Sequence, residues 1–110
     1  MQFSKFKRII LNSQDNIEIE NSIAEFINFN QLFSSDEVNI ILGIGYQKLK
    51  KYNDAILYFK KINNSLNFDE EKNYNIALCH LALENYHIAI EYININLQKK
   101  KHDISNEFQS

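Results

Sequence analysis

The sequence predicts an all-α fold, and three observations carry that expectation. The 110 residues contain no proline and only two glycines, so the residues that punctuate sheets and tight hairpins are scarce. Apolar residues recur at helical spacing, as in Leu42, Tyr46 and Leu49, and again in Ala55, Ile56 and Phe59. The stretch from Glu37 also reappears 34 residues later. Glu37/Glu71, Asn39/Asn73, Leu49/Leu83, Tyr52/Tyr86, Ala55/Ala89, Ile56/Ile90 and Tyr58/Tyr92 are identities, and Leu42/Ile76, Gly43/Ala77, Ile44/Leu78 and Phe59/Ile93 keep size class. A fixed period in this range marks stacked supersecondary units, here two amphipathic helices each.

About six helices are expected, near residues 2–12, 17–30, 36–50, 53–64, 70–84 and 86–99. The first sets Phe3, Phe6 and Ile10 against Lys5, Lys7 and Arg8. It is too short for firm membrane-surface binding without a lipid anchor, so covering the end of a helical array is the better role. Ser34-x-x-Glu37 has the spacing of a capping box at the third helix, and Asn53 and Asn85 stand where side-chain caps of the fourth and sixth are expected. Asp69-Glu70-Glu71 suits a helix N-terminus, and Lys99 to Lys101 suit the C-terminus of the last helix. Gly43, Ala55, Ala77 and Ala89 are small where helix axes must approach. Residues 100–110 form a polar tail in which Ile104 and Phe108, four apart, either make a final helical turn over the last unit or fray.

Composition narrows the function. The length fits one domain, 1–110, and 45% apolar with 24% charged residues is an ordinary globular balance. A formal charge of −2 lacks the positive excess of a nucleic-acid binder. The longest apolar run, Ile40 to Tyr46, falls well below the roughly 20 residues of a membrane span, and Ile9 to Leu11 is too short for a signal-peptide core. A cytoplasmic chain is expected. Cys79 stands alone, which leaves it a packing role and excludes an internal disulfide.

Leu42-Gly43-x-x-Tyr46-x-x-Leu49-x-x-Tyr52-x-x-Ala55-Ile56-x-x-Phe59 resembles the tetratricopeptide (TPR) pattern, and Ile76-Ala77-x-x-His80-x-x-Leu83-x-x-Tyr86-x-x-Ala89-Ile90-x-x-Ile93 follows it. His80 departs from the aromatic and Ile93 from the Phe or Tyr of that family. Lys50 and Glu84 stand at the usual turn glycine, and the closing proline is missing. The resemblance covers residues 36 to 98 and implies a right-handed superhelix of antiparallel helix pairs, an α-solenoid with repeats at 36–64 and 70–99. Ser22-Ile23-Ala24-Glu25-Phe26 resembles part of a repeat one residue out of period, so 2–30 reads as a degenerate terminal repeat.

No residue set points to catalysis. His80, Glu84 and His87 approach a metal cluster, but the turn at Glu84-Asn85 puts His87 on another helix. Cys79 and His80 are adjacent and so lie about 100° apart on a helix, poor geometry for a nucleophile and base. Neither a P-loop nor a dinucleotide fingerprint is present. No enzyme activity, cofactor or metal is expected.

The resemblance implies instead a concave inner surface lined by the first helix of each repeat, here Glu37, Ile40, Ile44, Gln47 and Lys48, then Glu71, Tyr74, Leu78, Leu81 and Ala82. Ile40, Ile44, Gln47, Tyr74, Leu78 and Leu81 are the candidate partner-binding residues. For Ile40 and Tyr74, packing against the N-terminal helix or the tail is an equal alternative. Ile40, Ile44, Tyr74 and Leu78 occupy the places where carboxylate-gripping relatives carry Lys, Asn and Arg, so an amphipathic helix in an apolar groove is the recognition mode expected. Asn21 to Phe26 and Ala77 to His80 also resemble segments of the needle-subunit chaperones of type III secretion. That resemblance implies a small cytoplasmic chaperone keeping a helical subunit monomeric beside a small helical co-chaperone; the alternative is a TPR adaptor in another assembly.

Overall fold

The computed structural model describes residues 2–29, 35–63 and 67–109 and contains six helices with no strand among those residues. They are α1 (Gln2–Asn12), α2 (Asn16–Phe29), α3 (Asp36–Lys48), α4 (Tyr52–Lys60), α5 (Asp69–Ala82) and α6 (Tyr86–Gln109). The all-helical expectation therefore holds. The last helix differs from its expected end, because α6 continues through the segment read as a polar tail. Lys99 and Lys100 consequently do not close a helix; they reach across to Asp69 and Glu70 in the acidic first turn of α5.

Local chemistry accounts for the helix starts, with two corrections. Asp15 opens α2 by accepting the Ile17 N–H at 2.9 Å. Ser35, not Ser34, caps α3: its extended backbone lets Oγ accept the Val38 N–H at 3.2 Å, and Ser34 lies outside the described residues. Asn53 caps nothing, because α4 begins at Tyr52 and leaves Asn53 inside its first turn. Asn85 precedes α6 as expected, but its amide lies 3.3 Å from His80 Nδ1.

The connections α3–α4 and α5–α6 are the same turn. Lys50 N–H donates to Gln47 O and Lys51 N–H to Tyr46 O; 34 residues on, Glu84 N–H donates to Leu81 O and Asn85 N–H to His80 O. This is the Schellman closure of a helix, which places one residue in the left-handed region. Lys50 (φ 62°) and Glu84 (φ 64°) hold that place without the freedom of glycine.

Within each hairpin the axes meet at the small residues. A Cβ on Gly43 would lie 2.4 to 2.7 Å from ring atoms of Phe59, so the glycine is what allows α4 to close on α3. Gly45 does the same toward the N-terminal pair, where a Cβ would stand 2.8 Å from Ile23 and 2.9 Å from Ile10. Ala55, Ala77 and Ala89 are buried as expected. Phe26, Phe59, Ile10, Ile19, Ile41, Ile62, Ile76 and Cys79 fill the centre, with Phe3 and Phe6 ringed around Phe26. In the second hairpin polar contacts add to the packing: buried Asn73 donates to Asn96 Oδ1 at 3.2 Å, and Asn96 donates to Glu70 O at 2.9 Å.

Helix α5 packs more heavily on α4 than on α3, whereas α3 takes more contact from α1 than from α2. Helix α1 is held along α3 at both ends. Lys7 pairs with Glu37 at 3.0 Å, and Lys48 Nζ donates to the Ile10 and Leu11 carbonyls at 3.1 and 3.0 Å. Those carbonyls belong to the last turn of α1, where a cation also meets the negative end of the helix dipole.

Candidate functional site

The expected site residues divide by helix. Ile40 is 5% exposed and belongs to the core, so it lines no open groove. Ile44 is half-buried against the core, on the same helical line as Glu37 and Lys48, the two residues that fasten α1. Gln47 is half-buried beside it. The first-repeat part of the face is thus largely occupied by the protein's own α1, the alternative that the sequence left open for Ile40.

On α5 the face is open. Tyr74, Leu78 and Leu81 follow one another at four and three residues and form one stripe. Tyr74 is 56% exposed, Leu81 is exposed and Leu78 half-buried. Helix α3, which carries Ile44 and Gln47, touches α5. Apart from the exposed Glu71 on the same line of the helix, the stripe offers apolar contact, so its chemistry is that of burying another apolar surface.

Tyr74 also borders a second feature, a cleft of about 470 Å³ between α5 and α6 lined by Glu70, Glu71, Tyr74, Ile93, Asn96, Leu97 and Lys100 among others. Tyr86, Ile90, Ile93 and Leu97 are all exposed along this side of α6, and Ile88 and Ile95 along the opposite side. The repeat explains why. Ile56 is 8% and Phe59 0% exposed on α4, which packs on both α3 and α5; their counterparts Ile90 and Ile93 are 53% and 37% exposed on α6, which packs on α5 alone among the described residues. The signal was present in the aligned repeats, since Asp54, Lys61 and Asn63 of the first are replaced by Ile88, Ile95 and Leu97 in the second.

The residues with reactive side chains serve packing. Cys79 is fully buried, and burial pushes its thiol up to about 11, which leaves no thiolate near neutral pH. His80 lies parallel to Tyr92 at 6.0 Å and 13°, and Tyr46 lies parallel to Tyr58 at 5.4 Å and 14°, the same pair one repeat earlier. His80 therefore fills an aromatic place as an aromatic. Burial, and then Lys60, hold its ring below the usual histidine range. Among the described residues no three His, Cys, Asp or Glu side chains gather as metal ligands, and no helix is long and apolar enough to cross a membrane. No family model, curated protein or solved structure matches this chain.

Proposed function

We propose that this chain is a tetratricopeptide-type interaction module that holds an amphipathic helix of a partner polypeptide on the inner face of α5, with Leu78 and Leu81 at the centre and Ile44 and Gln47 beside them. The observation that carries this reading is the open apolar stripe Tyr74–Leu78–Leu81 on a helix whose other faces are packed. Matched turns, the Gly43–Phe59 closure and the two parallel aromatic pairs support the repeat reading. A leucine removed from water contributes about 1.5–3 kcal/mol, so a helix covering this stripe needs no ion pair to be held. Masking a sticky helical subunit before assembly, as in the secretion chaperones the sequence resembles, and scaffolding within another assembly are two uses of the same contact.

The test is calorimetric titration of the co-purified partner with Leu78→Asp and Leu81→Asp, alongside thermal melts. A charge forced into the desolvated contact is expected to weaken binding by about 2 kcal/mol or more while the fold persists. Normal binding by both folded variants would reject the α5 face.

A further inference from the structure

The geometry points to a basic, amphipathic helix as the partner segment. It lies in the cleft between α5 and α6, buries apolar side chains against Tyr74, Ile93 and Leu97, and sets a lysine or arginine on Glu71. The inference deepens the proposed function and rests on its reading that a partner helix is held.

The first basis is the internal repeat. Tyr74 and Ile93 are exposed where they line the cleft, whereas Ile40 and Phe59, their equivalents 34 residues earlier, belong to the core. The first hairpin differs in carrying a further helix. Helix α5 packs on α4 and touches α3, and Lys72 Nζ reaches the carbonyl of Ile62, the equivalent of Asn96 in the cleft, at 3.5 Å. Among the described residues no helix stands in that relation to α5 and α6. A helix is therefore the kind of body that completes this side of a hairpin, and a cleft of about 470 Å³ has room for its side chains.

The second basis is charge. Glu70, Glu71 and Lys100 line the cleft; Lys100 pairs with Glu70 at 3.0 Å, while Glu71 is exposed and joins no ion pair among the described residues. One uncompensated carboxylate thus stands beside apolar side chains, in a chain whose formal charge is −2. The complement of that surface is an ammonium or guanidinium carried at the edge of an apolar helix face. Tyr74, one turn further along α5, adds an exposed ring that attracts the same cation.

The third basis is that the protein already makes this contact once. Glu37, the counterpart of Glu71, holds Lys7 at 3.0 Å, and Lys7 belongs to α1, the helix that buries Phe6 and Ile10 in the core. A glutamate at this place in the repeat therefore already receives the lysine of an amphipathic helix.

Fluorescence anisotropy of the full chain with two labelled helix-forming peptides is the test. The peptides share one leucine face and differ only in carrying lysine or glutamate at its edge. The lysine peptide is expected to bind about fivefold tighter at low salt, with the difference shrinking as salt screens the pair. Glu71→Gln is expected to abolish that preference and Glu71→Lys to reverse it, with helical circular dichroism unchanged. Leu97→Asn is expected to weaken both peptides by about fivefold or more, whereas Leu57→Asn on α4 changes neither. Binding of neither peptide, equal binding of both, or a lysine preference that survives Glu71→Gln overturns the proposal. Equal binding that is lost in Leu78→Asp overturns it while leaving the α5 face as a partner site. A lysine preference that needs Glu71 and Leu97 but survives Leu78→Asp and Leu81→Asp upholds the cleft and rejects the contact centred on those leucines.

Discussion

Replacing Lys50 and Glu84 with glycine is expected to stabilise the protein. Both residues are in the left-handed region, at φ 62° and 64°, as the C-terminal residue of a Schellman turn. An L-residue there carries a penalty of about 1–2 kcal/mol, which glycine lacks. Glycine also brings about 0.5–1 kcal/mol of extra unfolded-state entropy. The net gain is then about 0.5–1 kcal/mol for each site. Both side chains are exposed and neither joins an ion pair among the described residues, so little is lost with them. The turns share no hydrogen-bonding group, and the effects should add to about 1–2 kcal/mol, or roughly 4–8 °C in melting temperature at this chain length. Urea unfolding and thermal melts of Lys50→Gly, Glu84→Gly and the pair provide the measurement. Lys50→Ala and Glu84→Ala serve as controls because they remove the side chain and keep the penalty. Glycine variants no more stable than the alanine ones would refute the strain argument.

Gly43→Ala is expected to destabilise by about 1–2 kcal/mol, since overpacking against the buried Phe59 ring exceeds the gain of about 1 kcal/mol in helix propensity. The loss should shrink in a Phe59→Ile background, which reproduces the Ala77–Ile93 pair of the second hairpin; a double-mutant cycle with no coupling would count against the closure. Lys48→Met removes two donors from the last turn of α1 and is expected to cost about 1 kcal/mol, with faster amide exchange confined to α1. His80 has a folded-state pKa below its unfolded value of about 6.5, so stability is complete above that pH and declines as pH falls through it toward the folded value. His80→Tyr, which keeps the ring on Tyr92, should lose this part of the acid dependence; melts between about pH 8 and pH 5 would show it.

The sequence by itself determined the helical class, the two matched hairpins and the burial of Ala55, Ala77, Ala89 and Cys79, because helical spacing and a 34-residue period are local and repeated properties. It also located the two turns, although it read Lys50 and Glu84 only as missing glycines. Only tertiary structure decided which faces stay open. Ile40 and Tyr74 are equivalent in the repeat, yet one is core and the other exposed, because burial depends on whether a neighbouring helix covers that face. For the same reason Ile44 lies on the line along which α1 is fastened, through two long lysines that meet α3 from elsewhere or reach back from it. The end of α6 was misjudged because polar residues in a row look like a tail, while Asp69 and Glu70, some thirty residues earlier in sequence, give Lys99 and Lys100 partners within a continuing helix. Periodicity is written in the chain, but partners distant in sequence are brought together only by the fold.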